Sequence, residues 1–158
     1  MALVELTLAP LPAHVRTARL VGVAAARRAG LEPDLVDELR LAVGEACSRA
    51  VGLHARHAQG QPVRITVSDD PGGLTITVTD QGPAAGPASD DPAGDLLGSH
   101  DVEDDVVDPD VALAVLSGLV DDYSVEAGPG GTTVTLRWPL PPTPGGTAGA
   151  ASTQAAAE

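Results

Sequence analysis

The chain has 158 residues, 43% of them apolar, which is enough for one compact domain. Its core must be aliphatic, because there is no Phe and only one Tyr and one Trp. A net charge of −13 excludes nucleic acid and anionic membrane surfaces as partners. All nine basic residues are Arg, which removes a phosphate-gripping lysine of the Walker kind and any Schiff-base lysine.

The first residues lack a signal peptide's charged and apolar regions, and no apolar run approaches the ~18 residues of a membrane helix. A single cysteine, Cys47, permits no internal disulfide and fits a reducing compartment. The expectation is a soluble, cytoplasmic protein.

Leu3–Leu8 alternates weakly and ends before Pro10, as a short first strand does. Residues 12–29 are helix formers with Leu11, Val15, Ala18, Ala25 and Ala29 near one face, and Gly30 is a helix stop. A second helix opens at residues 32–34, with Pro33 in its first turn and Asp34 and Asp37 at the positive end of its dipole. It runs to about His57. Leu35, Leu39, Ala42, Val43, Ala46, Ala50 and Leu53 form its apolar stripe, and Gly44 and Gly52 thin it for close approach.

Val63–Ser68 and Leu74–Thr79 alternate cleanly around the turn DDPGG, which predicts an antiparallel hairpin with one threonine-rich face. Residues 81–108 have no periodicity, and nine carboxylates lie between Asp90 and Asp110. A loop of this length is functional or disordered. Asp108–Pro109 reads as the N-cap and first position of a third, largely apolar helix. Tyr123 and Val125, the turn AGPGG, then Val134, Leu136 and Trp138 predict a second hairpin.

The tail, residues 140–158, is low in complexity and expected to be disordered, leaving residues 1–139 as the domain. The predicted fold is α/β (α+β): a two-layer sandwich whose mixed, mostly antiparallel sheet is covered on one face by about three helices.

Four stretches carry a family resemblance: LAVGEACSRA (41–50), VTDQG (78–82), LVDDYSVE (119–126) and GGTTVTLRW (130–138). In this order and spacing the chain resembles the GHKL (Bergerat-type) ATPase domains, and among them the bacterial anti-sigma-factor serine/threonine kinases. The resemblance implies Glu45 as the base that activates a partner's serine, Asp80 as the reader of the adenine amino group, and Gly82 in the nucleotide loop.

It also implies ATP as cofactor, a sigma factor or a STAS-domain anti-sigma antagonist as partner, and homodimers. Partner docking on the first helix would use Arg16, Arg19, Arg27 and Arg28. The structural alternative for these arginines is an ordinary solvated face.

Against the family pattern, Arg49 replaces the magnesium-binding Asn, Ala84 replaces a loop glycine, and Asp110 and Ala112 replace the glycines opening the third helix. Guanidinium has no lone pair for magnesium. Glu45 and Arg49, four apart, are expected to share a flank of the second helix different from its apolar stripe, so Arg49 is expected to pair with that acid, or else to grip a phosphate directly. Asp110 would set a carboxylate where a phosphate belongs. One such like-charge contact near 4 Å costs about 4 kcal/mol at an effective dielectric of ~20. That is about three decades in affinity.

The expected function is an anti-sigma-factor-like regulator with a degenerate ATP site. The alternative is an active serine/threonine kinase acting on a STAS partner. His14, His54, His57 and His100 show no metal-ligand spacing and are expected at the surface, and Cys47 is expected as a buried thiol.

Overall fold

A computed structural model describes residues 2–57, 60–82 and 109–142. Strand β1 (Ala2–Leu8) leads into helices α1 (Pro12–Ala29) and α2 (Pro33–Arg56). The hairpin β2 (Val63–Asp70) and β3 (Gly73–Asp80) follows, then α3 (Pro109–Leu119), β4 (Asp122–Gly128) and β5 (Gly131–Trp138).

The sequence marks the helix ends clearly. Pro12 and Pro33 open α1 and α2, where a missing N–H costs nothing. Gly30 closes α1 at φ 81°, and Gly30 and Leu31 donate to the carbonyls of Arg27 and Ala26. This paired arrangement needs a left-handed residue, which glycine adopts without strain.

The strands form one sheet in the order β1-β2-β3-β5-β4. All four pairings are antiparallel, so the parallel component expected of a mixed sheet is absent among the described strands. The α1–α2 hairpin returns the chain so that β2 runs against β1. After β3 the chain reaches the far edge for β4, and β5 comes back between β4 and β3.

One face of the sheet is aliphatic: Ile65, Val67, Leu74, Ile76, Val78, Val134 and Leu136 lie against Leu39, Ala42, Val43, Ala46 and Ala50 of α2 and Val15, Ala18 and Ala26 of α1. The predicted stripe of α2 is the buried face. Gly44 does bring a neighbour close, since a Cβ there would stand 2.3 Å from Nε of Arg19 on α1.

The other face is the threonine-rich one. The Thr66 and Thr77 hydroxyls bond to each other, and those of Thr79 and Thr133 lie 3.1 Å apart. At the end of β5, the indole N–H of Trp138 donates to Glu38 of α2 at 2.8 Å, tying sheet to helix. Among the described residues no helix is long and apolar enough to cross a membrane. Residues 83–108 and 143–158, which hold nearly all of the acidic loop and most of the tail, lie outside the described residues.

Candidate functional site

Arg49 stands three residues after Ala46 and seven after Ala42, so helical geometry puts it on the apolar stripe of α2. It is 3% exposed there. Opposite it β3 ends at Asp80, 1% exposed. Arg49 Nη1 donates to Asp80 Oδ2 at 2.9 Å. The other carboxylate oxygen, Oδ1, accepts the backbone N–H of Gly82 at 3.0 Å. Asp80 is thus both a turn-forming Asp just past a strand and the acidic partner of a buried ion pair.

The expected Glu45–Arg49 pair does not form. Arg49 turns to the sheet, whereas Glu45, one turn earlier, is only half-buried. Leaving water is costly for each charge, so a buried guanidinium and a buried carboxylate are driven to one another rather than to partially solvated groups. The pairing is incomplete, because Arg49 Nε is buried with no acceptor among the described residues.

A second α2 side chain holds the same segment. His54, expected at the surface, is 1% exposed. Its Nε2 accepts the backbone N–H of Gln81 at 2.9 Å, and its Nδ1 lies 2.8 Å from the Gln61 carbonyl. These partners require a neutral ring with the proton on Nδ1. His54 was detectable in principle: it stands four residues after Ala50 and seven after Cys47, on the buried stripe.

Across the sheet, Asp80 is in register with buried Thr132 on β5. Gly131, at φ 132°, has no room for a side chain, since a Cβ there would lie 1.9 Å from the Asp80 carbonyl oxygen. Neither residue was singled out by sequence reasoning, because strand pairing between residues some fifty positions apart leaves no local spacing signal.

The structure therefore brings together Arg49, Asp80 and Gly82 and places Glu45 one turn away. Ala84, Asp108 and His100 fall outside the described residues, as does the side chain of Asp110 in the first turn of α3. Ala112 is fully buried. The four α1 arginines are all exposed. Arg28 pairs with Asp69 at 3.2 Å, and Arg19 lies over Gly44, so two of the four have intramolecular work.

Cys47 is buried as expected, and burial pushes its thiol up to about 12, opposed by the positive charge of Arg19. His14 is half-buried, with Nδ1 2.9 Å from the Ala9 carbonyl, and His57 is exposed.

A sheet lined on one face by a helical pair, with a buried carboxylate at the end of its central strand facing the longest helix, is matched by a family model over residues 8–138. That model describes the histidine kinase-like ATPase domain. The chain belongs to this family.

Among solved structures, the fold is similar to part of the chain in the crystal structure of the RsbU and RsbW domains of Rv1364c from Mycobacterium tuberculosis, at a TM-score of 0.62 and 18% identity. That match covers 89% of this chain and 32% of the other, so the chain spans about a third of that protein's length. No relative matches among curated proteins.

Family membership suggests a nucleotide, and of the residues that the resemblance assigns to its site, Arg49 and Asp80 are engaged with each other. Arg49 offers no lone pair to magnesium. Asp80 has one oxygen on a guanidinium and the other on a backbone N–H, leaving its charge already neutralised.

Proposed function

We propose that this ATPase-fold domain works as an anti-sigma-factor-like regulator. It controls transcription by binding a sigma factor or a STAS-type antagonist, and its nucleotide site is degenerate. The observation that carries the reading is the Arg49–Asp80 ion pair, which commits the residue at the metal position and the residue at the adenine position to each other. A protein that keeps its scaffold while its cofactor seat is engaged by its own side chains retains binding as its means of action.

The docking surface in this reading is the exposed face of α1. Arg28 is paired with Asp69 and Arg19 lies over Gly44, so among the described residues Arg16 and Arg27 are the α1 arginines taken as open to an acidic partner. Changing Arg16 and Arg27 to Glu should leave the melting temperature unchanged and weaken capture of purified sigma factors or STAS proteins at least about tenfold. Equal capture by the wild type and the double variant would remove α1 from the interface. Failure of every such protein to bind the wild type would end the reading.

A second reading has one observation in its favour. Glu45 is half-buried and makes no side-chain hydrogen bond or ion pair among the described residues, so Arg49 does not quench it as a base. An active kinase using Glu45 would transfer radiolabel from ATP to a STAS partner, and the loss of that transfer in Glu45→Gln would identify the base.

A further inference from the structure

We infer that Arg49 is a built-in surrogate ligand: its guanidinium fills the seat in which Asp80 would hold the N–H donor edge of a nucleobase. The inference rests on the proposed reading of Asp80 as the base-facing residue, and it deepens that reading by stating what governs the seat.

Three observations converge on it. The carboxylate is already satisfied from two sides, by Arg49 at 2.9 Å and by the Gly82 N–H at 3.0 Å. The segment 80–82 is held by the chain's own groups, because His54 holds the Gln81 N–H and the backbone turn at Gly82 closes on Asp80. Finally, the seat is imperfect for a guanidinium. A pocket shaped around arginine presents acceptors to its fork of donors, yet Nε is buried here with none. One carboxylate oxygen facing one donated N–H is what an exocyclic amine requires, and Arg49 supplies that N–H from within.

The consequence is a seat closed to outside donors in the wild type and opened by shortening one side chain. The ligand class it would then take is a flat molecule bearing an amine or amidine N–H, such as an aminopurine or a small guanidinium compound. A purine with a carbonyl at the same position would set an acceptor against the carboxylate and be rejected.

The test uses adenosine, inosine and N-ethylguanidine, none of which carries phosphate or needs a metal. It is therefore independent of Asp110, of Ala112 and of any partner protein. Wild-type protein, Arg49→Ala and the double variant R49A/D80N are titrated calorimetrically and melted with each compound.

The expected result is no binding to the wild type, with adenosine and N-ethylguanidine both binding and stabilising Arg49→Ala. Adenosine should bind this variant at least about tenfold more tightly than inosine. In the double variant that preference disappears. If Arg49→Ala does not fold alone, the expected result is that refolding requires one of the two amine-bearing compounds.

Adenosine binding to the wild type as tightly as to Arg49→Ala overturns the inference. So does an Arg49→Ala protein that neither binds nor is rescued. Either failure leaves the partner-binding reading intact, and loss of partner binding leaves this inference intact.

Discussion

Removing Arg49 alone strands a buried carboxylate, so Arg49→Ala should lose about 3–5 kcal/mol of stability in denaturant titrations. Replacing the pair together, as Arg49→Met with Asp80→Leu, should cost far less or even stabilise, because two desolvated charges vanish at once. A simple sum of the two single losses would contradict the ion pair.

Cys47 gives a second test at this scale. With its thiol pushed up to about 12 by burial, the native protein should resist a thiol reagent at neutral pH and react only as fast as it unfolds. Rapid labelling of the native state would show that the thiol is accessible.

The residue scale is also where the sequence was hardest to read. The spacing of Glu45 and Arg49 pointed to a local pair, but spacing says nothing about which neighbour is dry. Arg49 found a partner 31 positions away, on a strand whose closeness to α2 only the assembled fold reveals. Reading Arg49 on the same flank as Glu45, away from the apolar stripe, was wrong: its steps of three from Ala46 and seven from Ala42 put it on the buried face.

Elements behaved as their sequences dictate. The strands were legible from alternation and the helices from Pro and Gly punctuation, because these signals act within a few residues. Sheet order was less legible, since no local pattern places β5 between β3 and β4.

That long-range pairing depends on Gly131. Gly131→Ala should destabilise by about 2 kcal/mol or more through contact with the Asp80 carbonyl and a strained φ, whereas Gly130→Ala, with open space around it, should be near neutral. Equal effects of the two changes would show that β5 approaches Asp80 less closely.

At the sheet edge, Asp69 accepts the Ala2 backbone N–H and pairs with Arg28. These contacts hold its carboxyl below the usual carboxylate range, chiefly through the Ala2 bond. A carboxyl lowered by folding stabilises the native state above its unfolded pKa and stops doing so as pH falls through its folded one. Asp69→Ala should therefore melt below the wild type at neutral pH, and the gap should close under acid. A gap that persists at acid pH would assign the effect to packing.

On the scale of the whole molecule, a family scaffold spans residues 8–138. The chain keeps the sheet, the long helix and the carboxylate at the end of β3. The cation facing that carboxylate is the chain's own Arg49. A net charge of −13 adds a general repulsion toward polyphosphates, and salt attenuates it. Both effects favour a molecule that acts through its surface.

Calorimetric titration of the wild-type protein with ATP, with and without excess magnesium, tests this account most directly. The account predicts no saturable heat under either condition at millimolar nucleotide. Saturable binding that requires magnesium would contradict it, by showing that the Arg49–Asp80 pair yields its place to nucleotide and metal.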